Sequence, residues 1–207
     1  MAKLYFRYGT VGSAKTLNLL AVAHSYTQQG KKVVVMKPSL DTRFGKRLVK
    51  SRAGLEREAD LLIEHNTVLK YCDFNNINCI LIDEAQFLTP QFVTQLRALS
   101  IDLDIPVICY GLRSDFKRNL FKGSQRLLEL ADEISEIKTT CFFCDKRALF
   151  NLKFKNGVPT LEGPSVELGS EEKYLPACSR CYAERLEIGV SSDRNKTASP
   201  RAMAVGQ

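Results

Sequence analysis

Residues 9 to 16 read Gly9-Thr10-Val11-Gly12-Ser13-Ala14-Lys15-Thr16, and what flanks them limits the fold more than any other feature of the chain. Leu4-Tyr5-Phe6-Arg7-Tyr8 reads as a strand. From about Lys15 to Gln29 the pattern is helical, with Leu17, Leu20, Ala21 and His24 as its stripe and Gly30 as its stop. Strand, glycine-bearing loop and helix in that order is the setting in which the pattern G-x-x-x-x-G-K-[ST] binds phosphate. The match is complete except that Ala14 stands where the second glycine is expected. In such a loop the N–H groups from Gly9 to Ala14 and of the first helical turn face phosphate oxygens, aided by the helix dipole. Lys15 then reaches the outer phosphates and the Thr16 hydroxyl ligates Mg²⁺. A negative φ at Ala14 accommodates its methyl group; a left-handed one strains it.

The rest of the chain repeats the alternation of strand and helix. Lys32–Met36 is a second apolar strand closed by Pro38. Ser39–Ala59 is polar with weak periodicity and is expected to be a mobile loop region, and a short helix is expected over Thr67–Phe74. Cys79-Ile80-Leu81-Ile82-Asp83 is a continuous apolar run ending in an acid, as a parallel strand buried on both faces requires. Thr89-Pro90 supplies an N-cap and a first-turn proline for a helix to about Leu103. Pro106–Gly111 is another buried strand, residues 123–131 are helical and 133–140 extended. These elements predict an α/β fold, a parallel sheet of the P-loop, RecA-like kind with helices on both faces, over residues 1–140. Residues 141–190 form a smaller unit: strands over 148–154 and 158–168 around the hairpin signal Asn156-Gly157, and a short helix from Tyr182 to Leu186. From Ser191 to residue 207 the chain is small and polar and is expected to be a disordered tail.

Asp83-Glu84-Ala85-Gln86 supplies the second half of a phosphate-transfer site. An acid at the end of a buried strand holds Mg²⁺ directly or through water, and here that is Asp83. Glu84 lies beside it over the crevice at the carboxyl ends of the strands and is placed to accept a proton from an attacking hydroxyl. The motif does not choose the acceptor. Water makes an ATPase and a sugar hydroxyl makes a kinase. Asp-Glu-x-Gln also occurs in nucleic-acid helicases, so a nucleic-acid-stimulated ATPase with a zinc ribbon stays open, as does a binding protein whose phosphate loop Ala14 has disabled.

Of seven cysteines, four form the pairs Cys141/Cys144 and Cys178/Cys181. Four soft thiolates suit a closed, tetrahedral, structural Zn²⁺ site that clamps the hairpin between them. Cys79 and Cys109 sit in apolar runs and read as buried hydrophobes. The first residues lack the apolar stretch of a signal peptide. No run approaches the roughly 20 residues needed to span a bilayer. A cytoplasmic protein is expected. The formal net charge of +7 is dispersed along the chain, which favours phosphate-bearing partners in general and no particular one.

Taken together these residues resemble the zinc-containing type II thymidine kinases. The resemblance runs from Leu4 to about Tyr182. Besides the loop, the Asp-Glu motif and the cysteine pairs, it rests on Asp41-Thr42-Arg43, on Tyr110-Gly111-Leu112-Arg113-Ser114-Asp115-Phe116, on Leu120-Phe121-Lys122-Gly123-Ser124, and on Tyr174. It implies ATP-dependent phosphorylation of the thymidine 5′-hydroxyl, with Glu84 as general base. It implies ATP-site roles for Gly9 to Thr16, Arg43, Asp83 and Gln86, with Arg43 steadying the transferring group. Val11, Phe87, Leu112, Phe116, Phe121, Asn151 and Tyr174 fall at nucleoside-contacting positions, Tyr174 in a zinc-anchored lasso loop. A homotetramer, feedback inhibition by thymidine triphosphate, and no nucleic-acid or membrane partner are also implied. Leu168-Gly169-Ser170 departs from the two adjacent glycines common in that lasso.

Overall fold

The computed structural model describes residues 1–165 and 173–187. Strand β1 (Leu4–Tyr8) leads through the loop into helix α1 (Lys15–Gln28), then β2 (Val33–Pro38). Next come β3 (Leu48–Lys50), β4 (Glu56–Glu58), β5 (Leu61–Ile63), β6 (Cys79–Ile82), α2 (Pro90–Asp102), β7 (Val107–Gly111), α3 (Lys122–Leu130) and β8 (Glu133–Glu136). Strands β9 (Phe150–Lys155), β10 (Val158–Thr160) and β11 (Lys173–Ala177) precede the short helix α4 (Ser179–Arg185).

Six strands form one sheet in the order β5-β2-β6-β7-β1-β8, every pairing parallel. The continuous apolar runs are buried on both faces, and their alternation divides two cores. Ile80, Ile82, Val107 and Cys109 pack with Phe92, Val93 and Leu96 of α2 and Leu127 of α3. Cys79, Leu81, Ile108 and Tyr110 pack on the other face with Leu19, Leu20 and Ala23 of α1. Both Cys79 and Cys109 are fully buried, as expected. At the start of α2, the Thr89 hydroxyl accepts from the Phe92 N–H at 3.2 Å, with Pro90 at the first position.

Several expectations need correction. The buried stripe of α1 is Lys15, Leu19, Leu20 and Ala23, while Ala21 and His24 are exposed. The inward-anchored Lys15 sets the rotation of the helix, so the positions four and eight residues on turn inward. Ser39–Ala59 contains the antiparallel hairpin β3–β4, whose Val49 and the following Ala59 are buried in the core beside α1. The unforeseen β5 extends the sheet beyond β2. The helix expected over Thr67–Phe74 is a single 3₁₀ turn, Tyr71–Phe74. The extended segment from Glu133 is a strand only to Glu136, with one isolated bridge further on between Thr140 and Arg147, and the strand after the hairpin turn stops at Thr160, with its expected end at residue 168 outside the described residues. The last helix begins at Ser179, three residues early, because the Cys178 sulfur caps it from Cys181 N–H.

The second sheet, β10-β9-β11, is antiparallel. Asn156 and Gly157 both have positive φ, 51° and 77°, as a two-residue hairpin turn of type I′ demands. Strand β9 has two faces. Leu152 and Phe154 enter a small core with Cys141, Cys178, Ala177 and Tyr182. Asn151 and Lys153, also buried, point the other way, toward the main sheet's loops. The tail from Ser191 and the Leu168-Gly169-Ser170 departure lie outside the described residues.

Candidate active site

The site lies at the carboxyl ends of β1, β2, β6 and β7. There a cleft of about 480 Å³ is lined by Val11 to Leu17, Asp41, Arg43, Phe44, Leu48, Lys50 to Ala53, Asp83, Glu84 and Leu112. That volume falls within the range of nucleotide-sized pockets.

The floor of the cleft is the start of α1. This helix has no side-chain cap and no acid in its first turn, so the unpaired N–H groups there remain available to an anion. Lys15 folds back under the loop. Its Nζ donates to the carbonyls of Thr10 at 2.7 Å and Gly9 at 3.1 Å. Burial lowers its pKa to about 8, against the raising influence of Glu84 and Asp83. The close turn leaves no room at Gly9, where a Cβ would come within 2.5 Å of the Ile137 carbonyl oxygen. Ala14 takes φ 63°, ψ 27°, so the negative φ that would suit its methyl group is not adopted. Its side chain is exposed.

The acids stand opposite. The Thr16 hydroxyl donates to both Asp83 carboxylate oxygens, at 3.1 and 3.2 Å. Burial, then the neighbouring Glu84 charge, pushes the Asp83 pKa up to about 7. The buried Asp83 carboxylate and the half-buried Thr16 hydroxyl beside the loop make a hard-oxygen donor set that fits a Mg²⁺ ion. Glu84 itself has φ 50°, a left-handed conformation that a non-glycine residue keeps only under constraint. The constraint is visible. Arg43 Nη2 donates to Glu84 Oε1, and Gln86 Nε2 donates to Glu84 Oε2 at 2.5 Å. Gln86 Oε1 in turn accepts from Leu112 N–H at 2.9 Å, passing over Gly111, where a Cβ would stand 2.7 Å from that oxygen.

Arg43 is positioned by a residue assigned no role from sequence. Asp41 accepts from Arg43 Nε at 2.7 Å and pairs with the buried Lys37 at 3.1 Å. Burial would raise the Asp41 pKa, but its bonds to these two cations outweigh it and hold it below the usual range. Burial opposes the Arg43 charge too, yet Glu84 and Asp41 raise its pKa overall. The Asp-Thr-Arg run was the only sequence signal for this arrangement.

The expected nucleoside residues come together in groups. Val11 and Leu112 line the cleft, and Val11 N–H donates to Asn151 Oδ1 at 2.8 Å. Asn151 borders a small adjoining pocket with Tyr8, Thr10, Arg113 and Glu136. Phe87 and Phe121 meet edge to face at 6.0 Å, and Phe116 lies 6.1 Å from Tyr174. Phe87, Phe116, Phe121 and Tyr174 are not on the cleft lining. The 112–121 loop is braced through Asp115, which accepts from the N–H groups of Lys117 and Asn119 at 2.9 and 2.8 Å and from Ser165 Oγ at 2.7 Å. Lys153 Nζ sits 4.7 Å over the Phe116 ring, and the Tyr182 hydroxyl donates to the Phe116 carbonyl. None of these braces was identified from sequence: the Ser165 and Tyr182 bonds join residues 50 and 66 apart, the Lys153 contact tops a ring with a cation usually read as surface charge, and the two N–H bonds to Asp115 need a turn that only the folded loop forms.

The four paired cysteines converge, their sulfurs all within 4.8 Å of one another. Cys144 Sγ lies 3.6 Å from both Cys178 and Cys181. Zinc–sulfur bonds of about 2.3 Å require a tetrahedral edge near 3.8 Å, so the cluster could hold a zinc ion. The distance is far too long for a disulfide of about 2.05 Å.

A uncapped phosphate-facing helix, an inward lysine and an Asp-Glu pair at the ends of a parallel sheet define a P-loop phosphotransferase with a separate thiolate metal site. The sequence profile described as "Thymidine kinase" matches residues 2–182, and the chain belongs to the thymidine kinase family. Thymidine kinases of Streptococcus agalactiae serotype Ia and Streptococcus pyogenes serotype M3 are each 45% identical to it, over 186 and 184 residues, covering 88% of this chain and 97% of theirs. A Pif1 helicase from Candida albicans overlays at a TM-score of 0.42 and 11% identity, over 66% of this chain and 36% of that one, too distant a match to bear on function. Among the described residues no helix is long and apolar enough to cross a membrane.

Proposed function

We propose that the chain transfers the γ-phosphoryl group of ATP to the 5′-hydroxyl of thymidine, with Glu84 as the general base. The observation that carries this reading is the joining of Glu84 to Arg43 and Gln86 in the cleft that also holds Lys15 and the Thr16–Asp83 pair. The thymidine 5′-oxygen attacks the γ-phosphorus, the bond from that phosphorus to the β,γ-bridging oxygen breaks, and ADP leaves. Glu84 takes the hydroxyl proton. Lys15, Arg43 and the N–H groups of Gly9 to Ala14 stabilise the charge that spreads over the transferring oxygens. Thr16 and Asp83 would hold Mg²⁺, which supplies charge neutralisation at the phosphates. Gln86 fixes the second Glu84 oxygen.

Val11, Leu112, Asn151, Phe87, Phe116, Phe121 and Tyr174 would surround the nucleoside. The support is their grouping along the 112–121 loop and β9, together with the family resemblance. The same resemblance supports structural Zn²⁺ on Cys141, Cys144, Cys178 and Cys181, a cytoplasmic homotetramer, inhibition by thymidine triphosphate, and no use of nucleic acid.

The test is ADP release from ATP and Mg²⁺ with thymidine, with single-stranded DNA, or with neither. The expected result is release that depends on thymidine and matches thymidine monophosphate formed. Release stimulated only by DNA would replace this reading with that of a nucleic-acid-driven ATPase, and silence in all three arms would refute it.

A further inference from the structure

Helix α4 begins on the Cys178 cap and carries Cys181 in its first turn. The next residue, Tyr182, is 1% exposed and belongs to the small core with Cys141 and Cys178. Its hydroxyl reaches out of that core and donates to the carbonyl of Phe116 on the 112–121 loop of the main sheet. Its ring packs on Phe150, with centroids 5.4 Å apart. The Arg118 guanidinium of the same loop lies over it at 5.1 Å and over Phe150 at 5.8 Å. Two residues of one loop, Phe116 and Arg118, therefore end on a single tyrosine of the thiolate unit.

The loop needs that hold. Arg118 has φ 71°, a left-handed conformation that a residue with a side chain keeps only when its surroundings fix it. Its N–H donates to the Asp115 carbonyl at 3.1 Å, closing a turn whose tip, Lys117 to Leu120, is exposed. Phe116, at the base of the turn, is buried. Its ring faces Tyr174 at 6.1 Å and Lys153 Nζ at 4.7 Å. A buried carbonyl that loses its donor is destabilised by more than the bond itself contributes, so the position of Phe116 depends on the Tyr182 hydroxyl.

We infer that Tyr182 is a positioning residue for the nucleoside: its hydroxyl ties the 112–121 loop, and with it the Phe116 ring, to the helix that the thiolate cluster closes. This rests on the reading of Phe116 as part of the nucleoside site. The tie is separate from β11 and Tyr174. It acts on the wall of the site that the main sheet supplies, and it does not touch the phosphate loop.

Calorimetric titration of the wild type and Tyr182→Phe with thymidine and with Mg·ATP, beside the zinc content of each protein, tests it. Tyr182→Phe keeps the ring and removes one oxygen. It should bind thymidine about three- to tenfold more weakly, the size of one hydrogen bond, because the nucleoside itself must then order the loop. Mg·ATP affinity should change less than about twofold, and zinc content should equal that of the wild type. Unchanged thymidine affinity overturns the inference alone. Equal weakening toward both ligands, or loss of zinc, overturns it in favour of a tyrosine that only packs the thiolate core. A wild type that binds Mg·ATP and no thymidine overturns both this inference and the nucleoside reading beneath it.

Discussion

Ala14 offers the sharpest test of the physical argument. It stands at φ 63° as the N-cap residue of α1, where the phosphate-loop pattern has glycine. A left-handed L-residue costs roughly 1–2 kcal/mol relative to glycine. The methyl group is exposed, so its removal sacrifices little packing. Against the relief stands the added freedom of glycine in the unfolded chain, about 0.4–1 kcal/mol. The Ala14→Gly variant should therefore be more stable by about 0.5–1 kcal/mol, or about 1–4 °C in melting temperature for a chain of this size. Gly12→Ala is the matched control. Gly12 has φ 77° and no atom nearer than 4.0 Å to a new Cβ, so that substitution should destabilise by about 1 kcal/mol through conformation alone. Thermal and urea unfolding of the three proteins without nucleotide measures both differences. An Ala14→Gly variant no more stable than wild type, beside a destabilised Gly12→Ala, would refute the idea that Ala14 is strained. If the loop keeps its shape when nucleotide binds, the ATP KM of Ala14→Gly should stay close to that of wild type.

Other perturbations follow from the same geometry. Glu84→Gln should lower kcat by about 10²–10⁴-fold while Mg·ATP and thymidine still bind in a calorimeter; turnover at the wild-type rate would remove Glu84 from the role of base. Cys141→Ser should lose stoichiometric zinc by elemental analysis and most activity with it, and a zinc-free variant with full activity would refute the structural role of the metal. Asp83 is held near pKa 7 by burial, above its ordinary value of 3.8. Its contribution to stability is fully present below about pH 4 and is lost as pH rises through about 7. In the nucleotide- and metal-free protein, Asp83→Asn should match wild type near pH 4 and exceed it by about 2–4 kcal/mol near pH 8. A gap that does not change between those pH values in urea unfolding would contradict the burial of that charge.

The parallel sheet was legible because its strands are buried on both faces, which writes them as unbroken apolar runs such as Cys79–Ile82. The phosphate loop was legible because backbone geometry, lysine and hydroxyl must occur at fixed spacing. Residues 39–59 were not, because β3 and β4 are short and Val49 is their one fully buried residue. The rotation of α1 was misjudged because a charged residue, Lys15, takes an inward position that hydrophobic periodicity assigns to apolar ones. Asp41, Asp115 and Asn151 gain meaning only from partners that folding supplies, Arg43 and Lys37 for the first, Ser165 for the second, the Val11 N–H for the third.

Strand β9 serves two rooms through one wall. Its even-numbered residues Leu152 and Phe154 close the thiolate core, and its odd-numbered Asn151 and Lys153 reach the phosphate loop and Phe116. Because side chains alternate at every residue, a single insertion between Cys144 and Asn151 that slid β9 by one place would trade the two sets at once. An amide would enter the sulfur core while leucine faced the nucleotide cleft. The chain length between the first cysteine pair and Asn151 is thus a constraint as strict as the identity of either, and variation in that stretch should take the form of substitution, with length held constant.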